Sequence, residues 1–376
     1  MKIHPTINPN MVRKYLPKNT EELIHWYERY LAPLALIAGF LLDTFFFLER
    51  VDVMSGNLLL LSYLVIAALM ILLLQAIETG RLPYRPFLAI APFVPVVIQF
   101  AFGGLFSGYL SLYSRSASFA ITWIFVALIA ALLLGNERFR TRYVKFPFQV
   151  SVLFTALLSF LIFFIPVLLN AIGNLIFVLS GIVGLLVITA FLYFVRMLMP
   201  EVIKRDKVVI LRSIASIFVV FNILYFSNAI PPLPLALKDA GVYHGLTRLG
   251  DKYQLITEVA PWYKKYLPIT PVFHRTGGES AYVFSAVFAP TGLSTTISHE
   301  WQRYDEVQEE WVTLSTQKFP IRGGRDGGYR GYTIKNDLKP GDWRVNVMTE
   351  YGQIVGRISF EVVEVAQSVP LETITQ

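Results

Sequence analysis

Two patterns divide the chain. Up to about Ala229, apolar residues come in long runs broken by short polar stretches. From about Ala281, apolar and polar residues alternate with a period of two. A helix crossing the hydrocarbon core of a bilayer needs about 20 mostly apolar residues. Seven segments meet that requirement: Leu31–Leu48, Leu58–Ile77, Phe87–Leu105, Ser118–Leu134, Phe148–Leu169, Leu175–Met197 and Val208–Ala229. Pro92 and Pro95 interrupt the third, whose end can run on to Leu112. The alternating segments Tyr282–Phe288, Thr295–Arg303, Glu310–Thr316, Tyr329–Ile334, Trp343–Thr349 and Ile354–Val363 read as strands, with turns at 289–292, 339–342 and 351–352. Short strands with turns every 8 to 12 residues or so predict an immunoglobulin-like β-sandwich. The expected fold is an α-helical membrane bundle of about seven transmembrane helices followed by an extracytoplasmic all-β sandwich domain. The expected division is a tail and interfacial helix (1–30), the bundle (31–229), a juxtamembrane connector (230–275), the sandwich (276–366) and a C-terminal tail (367–376).

Composition sharpens this picture. Of 376 residues, 16% are charged and 55% hydrophobic, against about 25% charged in a soluble domain. A wholly soluble enzyme, a disordered regulator and a nucleic-acid-binding domain are excluded as the whole answer. The net charge of +7 is concentrated before Pro231, with roughly 18 Lys/Arg against 10 Asp/Glu there and roughly 15 against 16 after it. With the N-terminus inside, the loops on its side carry roughly 15 Lys/Arg and the opposite short loops roughly 2. That asymmetry predicts a bacterial inner-membrane protein with a cytoplasmic N-terminus and a periplasmic C-terminal domain. Asn19 with Glu22 fits a helix-capping box ahead of an interfacial His25, Trp26, Tyr27 and Tyr30. The N-terminus lacks a cleavable leader pattern, so the first span is expected to stay as an anchor. Cysteine is absent, which excludes thiol nucleophiles, Cys-ligated zinc and disulfides.

Ionisable and amide side chains inside spans are costly and therefore site candidates. At about 1.5 Å per residue, Asp43 and Gln99 lie roughly 18 Å and Asn222 roughly 21 Å from the cytoplasmic ends of their helices. These three can form one polar layer, serving an ion relay, a headgroup notch or plain helix–helix hydrogen bonding. Arg212 lies only about 6 Å deep and is expected to snorkel to the inner surface. The spacings Gly104-x-x-x-Gly108 and Gly181-x-x-Gly184 permit close helix packing.

In the β region, His299-Glu300-Trp301 lacks the second His of a helical zinc site, since Arg303 stands in that place. On a strand, His299 and Trp301 share one face, where they can stack on a sugar ring or pack in the core. The loop 320–331 carries five glycines with Arg322, Arg325, Arg330 and Tyr329. It can form an anion-accepting nest or a solvated hairpin, and it lacks the ending of a nucleotide-binding P-loop. Trp311 and Tyr332 add aromatic surface nearby. Asp305, Glu306, Glu309 and Glu310 read as a solvated turn rather than a glycosidase pair. His244 and His274 fall in the connector with no metal-ligand spacing, and Trp262, Tyr263 and Tyr266 beside Lys264 and Lys265 are expected on the membrane surface. No catalytic set, metal site or cofactor is predicted.

Ile230-Pro-Pro-Leu-Pro-Leu-Ala-Leu-Lys238, Gly241-Val-Tyr-His244, His299-Glu-Trp301 and Pro340-Gly-Asp-Trp-Arg-Val345, with Gly352 and Phe360, resemble a bacterial family of membrane proteins. That family ends in domain of unknown function 2914, and the resemblance covers roughly residues 230–365. It implies inner-membrane placement and no activity. The leading reading is a membrane protein whose exported sandwich is a binding or accessory module for an envelope glycan, a lipid-linked intermediate or a protein. The bilayer is its other partner, and nucleic acid is not one. The alternatives are a transporter or flippase using Asp43, Gln99 and Asn222, and a membrane transferase using Glu49 and Asp52.

Overall fold

The computed structural model describes residues 52–116, 119–136, 145–250, 252–259 and 270–376. The first predicted span, the interfacial helix, Asp43, Glu49 and the Trp262–Tyr266 stretch lie outside the described residues.

The helices are α1 (Met54–Glu78), α2 (Arg85–Ile90), α3 (Val94–Ser116), α4 (Phe119–Asn136), α5 (Phe146–Leu169), α6 (Asn174–Leu198) and α7 (Pro200–Phe226). Among them five segments are long and apolar enough to cross a membrane, with Arg85–Ser114 counted as one, while the apolar stretch in α4 is shorter. Pro92 and Pro95 explain the broken third segment. Proline offers no N–H to the helical ladder, so Ala91–Phe93 tightens into a 3₁₀ turn before α3 resumes. Helix α7 begins at Pro200 rather than at Val208. Proline suits a first turn whose N–H needs no partner, and Glu201 in that turn complements the helix dipole.

Helix α5 is the axis of the bundle, with 67% of its apolar window buried against 22–33% for the other four segments. Tyr109 and Tyr113 of α3 donate to the Ala156 and Ser159 carbonyls of α5 at 2.9 and 2.8 Å. A Cβ on Gly184 would lie 2.6 Å from Leu158, so glycine lets α6 approach α5 closely. The outward ring of the bundle remains apolar, with Leu58, Leu69, Leu175, Leu186, Tyr193 and Ile223 exposed. At the end away from the β region, Arg81 pairs with Glu201 at 3.3 Å. This puts the α1–α2 loop and the start of α7 at one end, as the alternation of basic loops requires.

Among the described residues eleven strands follow: β1 (Ala236–Tyr243), β2 (Gly245–Leu249), β3 (Lys252–Glu258), β4 (Val272–Thr276), β5 (Ala281–Phe288), β6 (Ser294–Asp305), β7 (Glu310–Arg322), β8 (Tyr329–Lys335), β9 (Gly341–Thr349), β10 (Ile354–Val365) and β11 (Leu371–Thr375). A five-stranded sheet, β4-β10-β9-β6-β7, faces a three-stranded sheet, β1-β5-β8. Trp301, Trp343, Val283, Val345, Val347 and Phe360 fill the space between them. A second three-stranded sheet, β11-β3-β2, covers the other side of β1-β5-β8 through Tyr243, Tyr253, Leu255 and Phe284. The outer face of the five-stranded sheet has no such cover among the described residues.

Two expected boundaries change. Much of the connector is strand, since β1 to β4 fall within 230–276, and the terminal tail is strand β11, paired with β3. Strand β1 belongs to the sandwich itself through its pairing with β5. Neither segment alternates cleanly, because their burial depends on layers formed by distant strands. The bundle and β domain also share packing. Ile230, Leu233, Ala236 and Phe288 join the helical core, and Ile172 packs on the sandwich core. Gly173 stands at φ +116°, and a Cβ there would lie 2.8 Å from the Tyr351 ring.

Candidate functional site

Strand β6 alternates sides, and its two sides carry different chemistry. On the inner side, His299 and Trp301 are fully buried at 0% exposure. His299 bonds to Ser285 Oγ and Thr333 Oγ1, both at 2.8 Å, and Trp301 Nε1 donates to Thr333 Oγ1 at 3.1 Å. Burial pulls the His299 imidazole down to about 3, so it is neutral at ordinary pH. Every polar atom of this pair is used inside the protein. Of the two alternatives for His299 and Trp301, the buried geometry fits packing in the core and leaves no surface for stacking on a sugar ring.

On the outer side, cross-strand register aligns two rows of polar side chains. Thr313, Gln302 and Arg344 form one row, and Glu300, Asn346 and Arg357 the other. Glu300 accepts from Gln302 and Asn346 at 3.0 Å each and from Thr313 at 3.2 Å. Gln302 Oε1 accepts from Arg344 Nε at 2.6 Å, and Asn346 Oδ1 from Arg357 Nε at 2.7 Å. The Arg344 guanidinium lies 4.2 Å from the Trp311 ring centre, and Trp311 meets Tyr304 at 5.4 Å. Both arginines are thus fixed through Nε, and their terminal nitrogens make no hydrogen bond to protein among the described residues. Burial, then the neighbouring Arg357 charge, pulls the Arg344 guanidinium down to about 10 against the opposing pull of Glu300. Burial likewise lowers Arg357, again opposed by Glu300. Two partly desolvated cations beside one carboxylate favour an incoming anion. A guanidinium presents paired donors that match a carboxylate or phosphate, and the adjacent indole offers a flat apolar surface.

The other predicted residues lie elsewhere. Arg322 ends β7, Tyr329 and Arg330 begin β8, and Arg325 lies in the loop between them, where it covers the Tyr329 ring at 5.7 Å. Gly323 and Gly324 tie that loop to the Leu293 and Ala289 carbonyls. The acidic turn is held by its own backbone, with Asp305 Oδ1 accepting from the Val307 and Gln308 amides. In the bundle, Asn222 donates to the Phe218 carbonyl of its own helix at 2.8 Å. Gln99 lies on α3, which packs mainly against α1, α4 and α5, whereas α7 packs against α5 and α6. Asp43 lies outside the described residues.

Folding also joins groups that are far apart in sequence. His244 faces Glu279 at 2.8 Å through Nδ1 and Glu258 at 3.1 Å through Nε2, and its ring stacks on Phe273. The other Glu258 oxygen meets His274 Nδ1 at 2.8 Å. Burial pushes Glu258 up, but hydrogen bonds from the His274 backbone and from both imidazoles outweigh it and hold the carboxyl below its usual range. Glu279 is lowered in the same way, by His244 and Thr276 acting against burial. This clamp ties β3 to β4, and only the three-dimensional pairing of its strands reveals it. No group of three or more His, Cys, Asp or Glu side chains among the described residues is arranged to hold a metal ion.

A family model described as "Protein of unknown function (DUF2914)" matches residues 294–362, which run from β6 into β10. The C-terminal region therefore carries the domain that the sequence motifs resemble. No curated protein matches the chain. Among solved structures, an alkylpurine DNA glycosylase AlkC from Pseudomonas fluorescens, bound to DNA containing an abasic site analog, aligns at 11% identity over 83% of this chain and 99% of that one. The TM-score of that alignment is 0.19.

Proposed function

We propose that the protein is a bacterial inner-membrane protein whose periplasmic β domain is a recognition module for an anionic envelope glycan. Its binding face is the outer side of the five-stranded sheet. The observation that carries this reading is the pair of guanidinium groups, Arg344 and Arg357, each anchored through Nε with its remaining donors unspent among the described residues, and Arg344 lying over the Trp311 ring. Trp311 and Tyr304 stack the sugar, Arg344 and Arg357 take its carboxylate or phosphate, and Glu300, Gln302 and Asn346 hold the arginines in place. The helices anchor this module, in keeping with their exposed apolar ring and the basic bias of one set of loops.

Full-length protein in nanodiscs, titrated with acidic and neutral envelope oligosaccharides, tests the reading. Saturable binding of the acidic class is expected, with loss in Arg344→Ala and Trp311→Ala and retention in the Arg322/Arg325/Arg330 triple alanine variant. Equal binding by wild type and Arg344→Ala would sink it.

A further inference from the structure

An open groove of mixed polar and apolar lining runs along the bundle at the end opposite the β domain. Its mouth is a cavity of about 840 Å³ lined by Glu78, Lys145, Ser151, Arg205 and Asp206, together with Phe146 and Phe148. It adjoins a second cavity of about 510 Å³ lined by Arg212, Ser216 and Ile217, and the two share Ser151, Val209 and Ser213. The groove therefore follows α7 from Arg205 to Ser216, about 16 Å at 1.5 Å per residue, with α5 as its other wall.

The charges along it are unequally spent. Asp206 pairs with Arg205 at 2.9 Å, and Glu78 accepts from Gln75 at 3.3 Å. Arg212 pairs with no carboxylate among the described residues, although it stands within an otherwise apolar segment. Ser213 and Ser216 donate to no protein acceptor among the described residues, whereas Ser151 donates to the Pro147 carbonyl of its own helix. A cation in an apolar span needs a counter-ion or a route to water. The flank of α7 around it is apolar and exposed, with Val208, Val209, Leu211 and Val219 outward. A ligand that presents a negative group to Arg212 and an apolar body to its surroundings fits this groove.

We infer that this groove binds an anionic phospholipid. Its phosphate meets Arg212 and the Ser213 and Ser216 hydroxyls, its headgroup points towards Lys145 and Arg205, and an acyl chain lies along Val209 and Ile217. The inference rests on the membrane placement proposed above and is independent of the glycan-binding face.

Native mass spectrometry of the full-length protein released from detergent, titrated with dioleoyl phosphatidylglycerol or dioleoyl phosphatidylcholine, tests it. Wild type should retain one anionic lipid in preference to the neutral one. Arg212→Gln should lower that preference about fivefold, as expected for one cation near an anionic headgroup, while Arg212→Lys keeps most of it. Ser213→Phe fills the groove without removing charge and should lower retention of both lipids. Unchanged helical circular dichroism certifies that each variant is folded. Equal retention by wild type and Arg212→Gln would overturn the inference, as would displacement of the lipid by excess inorganic phosphate. A failure of the membrane placement itself looks different: the protein would stay dispersed without detergent and retain neither lipid.

Discussion

The two sides of strand β6 carry similar residue types and do opposite work. Inside, His299 and Trp301 exhaust their hydrogen bonds on Ser285 and Thr333. Outside, Glu300 and Gln302 are equally well bonded, but they hold arginines whose terminal donors are left over among the described residues. A polar side chain contributes to recognition when hydrogen-bonding capacity remains after the fold has used its share. When nothing remains, the same chemistry serves stability, because an unsatisfied buried group is expensive. The interleaved burial of β6 therefore separates the core side of one strand from the side to which the proposed binding is assigned.

The sharpest way to break this contrast is at its inner side. Trp301→Ala should cost about 3–5 kcal/mol, the usual range for removing a large buried aromatic ring. It should unfold the β domain at much lower denaturant, read by near-ultraviolet circular dichroism of the full-length protein. A loss below about 1 kcal/mol would mean that the core does not depend on that ring.

Acid is the next lever. His299 falls from the ordinary 6.5 to about 3 in the folded protein, so between those values the unfolded chain binds a proton that the native one refuses. Stability is full above about pH 6.5 and should decline by about 1.4 kcal/mol per pH unit as the pH falls towards 3. His299→Gln should remove that slope while lowering stability at neutral pH. A wild-type profile flat between pH 6 and 4 would contradict the buried neutral imidazole.

The outer side should respond in binding rather than stability. Arg344→Ala should weaken binding of the acidic oligosaccharide at least about tenfold, within the 1.5–3 kcal/mol typical of a charge-assisted hydrogen bond. The unfolding midpoint should barely move. Arg344→Lys keeps the charge but loses the fork and should fall between the two.

The histidine clamp should give the smallest effect. Glu258→Gln replaces a carboxylate that accepts from His244 and His274 and should cost about 1–2 kcal/mol at pH 7. Because the Glu258 carboxyl is held below its usual range, its contribution is present above that range. It disappears as the pH falls through the depressed value, so variant and wild type should converge in strong acid. A gap that stays constant with pH would show that the charge is not what matters.

The sequence by itself determined the elements whose signal is local. The first predicted span lies outside the described residues, the other six fall on helices α1 to α7, and all six predicted strands recur as β5 to β10. A run of about 20 apolar residues or a two-residue alternation is written in consecutive positions. The family resemblance, which a family model matches over residues 294–362, was legible for the same reason, since its motifs there are contiguous. Tertiary structure alone decided the rest. It turned the connector and the tail into β1 to β4 and β11, because those strands are stabilised by partners far along the chain. It closed His299 and Trp301 inside, a matter of which sheet face meets the opposite layer. It also brought Arg344 and Arg357 beside Glu300, Arg344 over Trp311, and His244 beside Glu258 and Glu279, with His274 on the same Glu258. These groups meet only through cross-strand register, and a sequence read one residue at a time carries no record of register.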